Sequence, residues 1–362
     1  MPNTLECTAG LFQLIHRRPA SAGVLPQKRA PKTQSAAILR NYAEFPSAAK
    51  AVERLHGGDF GGSGWWQDRA GTARLSLLVC AGGALAVDQN GSRGVGSVYS
   101  PLLREQGIMS ILDLFKLDGK AAIVTGAARG LGQGLALGLA EAGADIAAVD
   151  ILDMAETVTA VKKIGRGCVG INADLSKTAD IPRIIETTLK SFGHIDILFN
   201  NAGIIRRADL TEFSEKDWDD VININQRTLF FLSQAVAKQM IKQGKGGRIV
   251  NTASMLSFQG GIRVPSYTAS KSAVMGLTRL FANELASHKI TVNAIAPGYM
   301  ATDNTAPLRA DEKRSAEILG RIPAGRWGTP QDLQGCAVFL ASDASAYVTG
   351  YTIAVDGGWL SR

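Results

Sequence analysis

Residues 120–132 read KAAIVTGAARGLG, and residues 133–143 continue with QGLALGLAEAG. The first part is a short apolar run typical of a buried strand, and the second has the apolar spacing of a helix. Gly126, Gly130 and Gly132 stand in the turn between them. In a strand–turn–helix unit, glycines at these positions allow a tight turn, a close approach of the backbone to a ligand, and close packing of helix on strand.

The alternation of strand and helix continues to the end of the chain. It predicts one α/β domain, a doubly wound Rossmann domain with a parallel sheet, over residues 109–362. A long helical stretch, residues 264–286, precedes the predicted strand at residues 290–298. The predicted strands span residues 120–126, 144–150, 194–203, 247–254, 290–298 and 351–358.

Residues 1–108 have a different composition, with 12 lysines and arginines against 7 acids, which is +5 of the net charge of +7. We favour a disordered or non-native extension ahead of a natural start at Met109. A targeting segment is an alternative, because residues 1–40 contain a single acid, Glu6. A small additional domain or partner-binding arm, including a basic arm for nucleic acid, is another.

The composition excludes several classes of protein. The chain is 46% hydrophobic and 20% charged, and no run of 18 apolar residues indicates a membrane span. Residues 109–362 show no basic stripe with interleaved aromatic residues. The scattered cysteines, Cys7, Cys80, Cys168 and Cys336, predict neither a disulfide framework nor a zinc site. We therefore expect a cytoplasmic protein that binds no metal, membrane or nucleic acid.

The glycine turn predicts a dinucleotide site. Phosphates would meet the free N–H groups at the start of the helix, beside Arg129 and Leu131. Asp150 ends the second strand, 18 residues after Gly132, where an acid accepts hydrogen bonds from an adenosine ribose. Its charge would repel a 2′-phosphate, which favours NAD over NADP, whereas Arg129 favours the opposite. A solvated aspartate at a strand end is the alternative interpretation of Asp150.

Tyr267 and Lys271 are four residues apart, which places them on one face of a helix. A nearby ammonium, together with the positive nicotinamide ring of a cofactor, would favour the phenolate of a tyrosine and lower its pKa, so Tyr267 could exchange a proton with an alcohol. Ser254 ends a strand pattern 13 residues earlier, where its hydroxyl can hold the substrate oxygen. The domain's two histidines, His194 and His288, lie outside these motifs, which argues against a histidine acid–base catalyst.

In order and spacing, these motifs resemble those of the classical short-chain dehydrogenase/reductase family over residues 109–362. The resemblance implies a catalytic serine, tyrosine and lysine at Ser254, Tyr267 and Lys271, and a water-positioning Asn225. It also implies an adenine contact by Asp174. Further cofactor contacts are implied for Asn201, Ala202 and Gly203 in the NNAG motif, and for Pro297, Gly298 and Thr302.

A closer resemblance is to one group of that family, the 2-dehydro-3-deoxy-D-gluconate 5-dehydrogenases, also called 2-deoxy-D-gluconate 3-dehydrogenases. Stretches that carry it include residues 212–221, 253–272 and 308–328. It implies NAD(H)-linked interconversion of 2-dehydro-3-deoxy-D-gluconate and 2,5-diketo-3-deoxygluconate by a cytoplasmic homotetramer. A 3-oxoacyl carrier-protein reductase or a polyol dehydrogenase of the same family is the alternative, and a non-catalytic dinucleotide sensor is a more distant one.

A sugar acid needs a cation for its carboxylate, and arginine makes bidentate pairs with such groups. Arg263, between Ser254 and Tyr267, is our first candidate, followed by Arg206 and Arg207 after the NNAG motif. Gln259 is a candidate for the substrate hydroxyls. The alternative for each arginine is a surface ion pair of little energetic weight.

Overall fold

The computed structural model describes residues 63–67, 74–80, 83–88 and 110–362. The chain divides into two units, Met1–Pro101 and Leu102–Arg362. In the first unit, strands β1, β2 and β3 form an antiparallel sheet in that order. The sequence analysis did not predict these strands, and the rest of the predicted disordered extension lies outside the described residues. The strands are β1 (Ser63–Gln67), β2 (Arg74–Cys80) and β3 (Gly83–Asp88).

The second unit contains a seven-stranded sheet in which every neighbouring pair is parallel. Its strands are β4 (Ala121–Thr125), β5 (Asp145–Asp150), β6 (Cys168–Asn172), β7 (Ile197–Asn200), β8 (Gly247–Thr252), β9 (Ile290–Pro297) and β10 (Thr352–Val355). Their order across the sheet is β10-β9-β8-β7-β4-β5-β6. The chain reverses its winding direction between β4 and β7, and the carboxyl ends at such a point form the usual crevice for a ligand. The predicted fold class is confirmed.

Helices cover both faces of this sheet. They are α1 (Gly130–Glu141), α2 (Ala155–Lys163), α3 (Ile181–Phe192), α4 (Glu215–Ile222), α5 (Leu229–Gln243), α6 (Pro265–Leu285), α7 (Ala306–Ala310), α8 (Glu312–Arg321) and α9 (Pro330–Ala341). Alternate residues of β4 point to opposite faces, as the pleat of a strand requires. Ala122 and Val124 belong to the core beneath α1 and α9, and Ile123 belongs to the core beneath α5 and α6. Within the described residues, no helix is both long and apolar enough to cross a membrane.

Close packing of α1 on β4 depends on Gly132. A Cβ atom there would lie 1.9 Å from the carbonyl oxygen of Gly126, a backbone atom that cannot move without opening the turn. We expect Gly132→Ala to lower the free energy of unfolding by about 2–3 kcal/mol, the cost of overpacking a tight site. Urea denaturation measures the change.

Gly335 in α9 provides the matched control for that substitution. A Cβ atom at this position would meet nothing within 4 Å. Gly335→Ala should therefore stabilise the protein by roughly 0.5–1 kcal/mol, through the better helix propensity of alanine. Equal denaturation midpoints for the two variants would show that the Gly126–Gly132 contact has no special role.

Candidate active site

A cavity of about 1400 Å³ opens at the carboxyl ends of the strands. It contains almost every residue that the sequence analysis assigned to a site. The predicted residues that line it are Gly126, Arg129, Gly130, Leu131, Gly132, Asp150, Asp174, Asn201, Ala202, Gly203, Arg206, Ser254, Gln259, Arg263, Tyr267, Lys271, Pro297, Gly298 and Thr302. Asn225 is the exception and lies behind the cavity wall.

Tyr267 and Lys271 are positioned by the start of α6, where Pro265 occupies the first turn. The Ser254 hydroxyl lies close enough to the Tyr267 hydroxyl to lower the pKa of the tyrosine, and both groups line the cavity. Lys271 Nζ lies 5.7 Å from the centroid of the Tyr267 ring and donates a 2.6 Å hydrogen bond to the carbonyl oxygen of Thr252. The Tyr267 hydroxyl, which we expect to exchange the proton, thus lies near both the Ser254 hydroxyl and the buried ammonium of Lys271.

The pKa of Tyr267 is set mainly by burial. Burial raises it above the ordinary value, and the hydrogen bond with Ser254 and the positive charge of Arg207 only partly oppose this. Lys271 is not among the groups that lower the tyrosine's pKa, and its own pKa is lowered to about 8 by burial. The prediction that Lys271 and the nicotinamide ring of a bound cofactor together make this tyrosine acidic concerns the loaded site, and it stays a prediction. At neutral pH Tyr267 holds its proton and is a donor.

Asn225 lies in a π-helical segment, Asn223–Thr228, that joins α4 to α5. Its amide donates to the carbonyl oxygen of Ile204 at 2.9 Å and accepts from the Ile204 N–H at 2.8 Å. It also donates to Ser270 Oγ in α6 at 3.2 Å. Gly203 lies between this amide and Lys271, since a Cβ atom on it would be 3.1 Å from Asn225 Oδ1 and 3.6 Å from Lys271 Nζ. Such π turns are frequent at functional sites. The sequence showed a helix there and gave no signal of the π turn.

The residues at the glycine turn fit a dinucleotide. Gly126 and Gly130 have φ angles of +67° and +58°, which leave the N–H groups at the start of α1 open to the cleft. Asn201, which directly follows β7, stabilises this turn. Its side chain donates to Thr125 O at 3.0 Å and its N–H donates to Thr125 Oγ1 at 3.0 Å. The result is a rigid cradle of backbone donors of the kind that binds a pyrophosphate.

Asp150 and Asp174 extend the cavity away from the catalytic residues. The Asp150 carboxylate accepts hydrogen bonds from the N–H groups of Ala128 and Leu152, each at 3.0 Å, which fix it at the end of β5. Asp174 accepts from the N–H and hydroxyl of Ser176 at 2.9 and 2.7 Å, and these bonds lower the pKa of Asp174. Both carboxylates line the cavity and are held in place by these hydrogen bonds.

Two of the three candidate arginines form ion pairs with acidic side chains. Arg263 has a left-handed backbone, φ +64°, and pairs with Asp209 at 3.1 Å. Arg206 pairs with Asp217 at 3.3 Å and with Asp220 at 3.7 Å. Both guanidinium groups line the cavity and already have carboxylate partners, and the ranking that puts Arg263 first stays a prediction.

Arg207 is the better placed cation. Among the described residues it forms no ion pair, and its guanidinium donates only a 3.4 Å hydrogen bond to Asn304 O. Its charge also acts on the Tyr267 hydroxyl. Our ranking put Arg263 first for its position between Ser254 and Tyr267, and the sequence shows none of the carboxylate partners that distinguish these arginines.

One set of contacts near the cavity was not predicted from the sequence. Arg321 of α8 lies 4.0 Å above the Trp359 ring and donates to Gln259 Oε1 at 3.2 Å, so α8 is tied to the predicted substrate-binding glutamine. Trp359 is buried and packs against Tyr299, as expected for a packing residue. Over residues 110–362, no group of three or more His, Cys, Asp and Glu side chains is arranged to hold a metal ion.

Comparison with known proteins agrees with this geometry. The family model described as enoyl-(acyl carrier protein) reductase matches residues 126–360. The 2-dehydro-3-deoxy-D-gluconate 5-dehydrogenase of Escherichia coli strain K12 is 66% identical over 252 residues, which is 70% of this chain and 100% of that protein.

Two solved structures have the same fold and contain NADP. One is a putative 2-deoxy-D-gluconate 3-dehydrogenase from Agrobacterium tumefaciens, with a TM-score of 0.66, 51% identity, and coverage of 69% of this chain and 100% of that one. The other is a gluconate 5-dehydrogenase from Burkholderia cenocepacia J2315 in complex with NADP and tartrate, with a TM-score of 0.67, 40% identity, and coverage of 70% and 100%.

The chain thus combines a parallel sheet whose crevice lies at the winding reversal, a glycine turn that fits a nicotinamide dinucleotide, and a serine–tyrosine–lysine site. Its sequence is also similar to those of the dehydrogenases named above. The chain belongs to the short-chain dehydrogenase/reductase family.

Proposed function

We propose that this protein is an NAD(H)-dependent oxidoreductase that interconverts a keto sugar acid and its alcohol. The proposed pair is 2,5-diketo-3-deoxygluconate and 2-dehydro-3-deoxy-D-gluconate, the substrate in the name of the Escherichia coli relative. The observation that carries the proposal is the convergence of the Ser254 and Tyr267 hydroxyls and the Arg207 guanidinium on one cavity, where the charge of Arg207 acts on Tyr267. This combination suits a substrate with a carbonyl group and a carboxylate.

In the direction of ketone reduction, the Ser254 and Tyr267 hydroxyls both hydrogen-bond to the substrate's carbonyl oxygen. NADH, when bound, supplies the hydride. Tyr267 donates its proton to the oxygen as negative charge develops there. Its raised pKa keeps the proton in place at neutral pH until that moment. Lys271 then stabilises the phenolate that remains.

Asp150 supports the choice of NAD(H). Its carboxylate is fixed by two backbone N–H groups at the place where an adenosine ribose is bound in this type of fold. A 2′-phosphate there would meet a fixed negative charge at short range. The NADP in the two solved relatives belongs to chains with 51% and 40% identity. Arg129 is the residue of this chain that would favour NADP(H) instead, because its positive charge could pair with a 2′-phosphate.

Arg207 supports the choice of a sugar acid. We expect Arg207→Met to raise KM for the keto sugar acid roughly 10- to 100-fold, because a hydrogen bond to a charged group contributes about 1.5–3 kcal/mol. NADH affinity should stay unchanged. Arg206→Met is the matched control, since Arg206 already pairs with Asp217 and Asp220. A larger effect on KM from Arg206 than from Arg207 would reassign the carboxylate partner.

A panel of ketones tests the proposal directly. Initial rates of NADH oxidation by the full chain are measured with 2,5-diketo-3-deoxygluconate, 5-keto-D-gluconate, a neutral keto sugar and a 3-oxoacyl thioester. The proposal predicts the highest kcat/KM for the first, and a much lower value for the ketones without a carboxylate. Faster turnover of the thioester or the neutral sugar would favour the acyl reductase or polyol dehydrogenase alternative.

A cytoplasmic homotetramer remains part of the proposal. Phe231 of α5 and Leu280 of α6 are exposed apolar side chains, and Tyr347 and Tyr351 are exposed beside the edge strand β10. These positions would be covered by further copies of the chain. The free thiols of Cys168 and Cys336 agree with a reducing compartment. Light scattering of the purified chain gives the number of copies.

A further inference from the structure

The glycine turn and the segment after Thr302 face each other across the cofactor cleft. A Cβ atom on Gly130 would lie 3.8 Å from Thr302 Cγ2, so the two sides of the cleft are close at this point. Arg129 is the only charged residue in residues 125–132. Its Nη1 atom lies 2.9 Å from Oδ2 of Asp303, on the opposite side. An ion pair therefore bridges the cleft above the predicted pyrophosphate cradle.

Asp303 occupies a defined turn. The Thr305 hydroxyl donates to the carbonyl oxygens of Met300 and Thr302 at 2.6 and 3.0 Å, which holds the turn that begins at Asp303. Arg129 has an extended backbone immediately ahead of α1, so its side chain leaves the turn toward the cleft. The turn thus holds the backbone of Asp303 at a point from which its carboxylate reaches the arginine.

The pair is weak enough to be exchanged. The side chains of Arg129 and Asp303 are 66% and 73% exposed, and ion pairs between exposed side chains contribute little. A phosphate carries more charge than a carboxylate and accepts bidentate hydrogen bonds from a guanidinium. A 2′-phosphate on the adenosine ribose and Asp303 would therefore compete for one guanidinium.

We propose that Asp303 is a specificity-determining residue that favours NAD(H) over NADP(H) by occupying Arg129. Asp150 acts on one side of the ribose through repulsion, and Asp303 acts from the other side of the cleft by withholding the cation that would pair with a 2′-phosphate. The inference rests on the proposed dinucleotide site and extends it to a residue outside the glycine turn.

Equilibrium binding tests the inference without a sugar substrate. Fluorescence titrations of the full chain with NADH and with NADPH give both dissociation constants. Asp303→Asn should tighten NADPH binding about three- to five-fold, the size of one exposed ion pair, and leave NADH binding within about two-fold. In an Arg129→Gln background, Asp303→Asn should give no gain. Asp343→Asn, which removes a carboxylate paired with Arg248 outside the cavity, should change neither constant.

Two results would overturn the inference. Unchanged NADPH affinity in Asp303→Asn would show that release of Arg129 from Asp303 does not make it bind the 2′-phosphate. A gain that persists in the Arg129→Gln background would show that Asp303 repels the phosphate directly. Absence of NADH binding by the unmodified chain would instead refute the proposed cofactor, so the two failures are distinguishable.

Discussion

Tyr267→Phe is expected to lower kcat/KM for ketone reduction at least about 1000-fold, within the range that acid–base catalysis contributes. The substitution removes only the hydroxyl that meets Ser254 and donates the proton. The ring remains to fill its place in the first turn of α6. NADH affinity, measured by fluorescence titration, should therefore stay within about two-fold of the unmodified protein, since no phosphate-binding group is lost.

Ser254→Ala is the companion variant. It removes the other hydroxyl of the pair, and with it one hydrogen bond that lowers the pKa of Tyr267. We expect a smaller loss of activity than for Tyr267→Phe, because the proton donor is still present. Unchanged turnover in Tyr267→Phe, with intact NADH binding, would contradict the assignment of the tyrosine as acid–base catalyst.

Lys271→Met should lower kcat/KM roughly 100- to 1000-fold, because the buried cation that stabilises the Tyr267 phenolate is lost. Lys271 also lines the cavity, where we propose that its ammonium contacts the nicotinamide ribose of the cofactor. NADH binding should weaken about ten-fold, which distinguishes this variant from Tyr267→Phe. Lys190→Met, at an exposed position of α3, is the control and should leave both quantities unchanged.

The pH dependence provides a second readout for Lys271. Burial lowers its pKa to about 8, so the ammonium is present below pH 8 and is lost as the pH rises above it. The rate of ketone reduction in the unmodified protein should fall over that range. Lys271→Met should have no corresponding decrease, and a decrease that persists in it would have to come from another group.

The fold was predictable because its constraints are local. Gly126, Gly130 and Gly132 allow few structures other than a strand, a tight turn and a closely packed helix. The alternation of strands and helices then restricts the sheet to a parallel one covered on both faces. Residues near the carboxyl ends of such strands converge whatever their separation in sequence, which explains why almost all predicted site residues line one cavity.

The details that the sequence does not show depend on long-range contacts. Arg263 is paired with Asp209, which is 54 positions earlier in the sequence, and no local pattern shows this pair. The pKa of Tyr267 is set mainly by burial, which is a property of the assembled domain. The π turn at Asn223–Thr228 leaves no trace in the apolar spacing of its helix. Arg321 reaches Gln259 from α8 across 62 positions of sequence.

Transfer of deuterium tests the central claim most directly. The full chain is mixed with 2,5-diketo-3-deoxygluconate and with NADH that carries deuterium at both positions of C4 of the nicotinamide ring, and the product is examined by NMR and mass spectrometry. The account predicts 2-dehydro-3-deoxy-D-gluconate with one deuterium on C5, and almost none of it with Tyr267→Phe. An undeuterated or absent product, with NADH bound, would contradict the assignment of this protein as a keto sugar acid reductase.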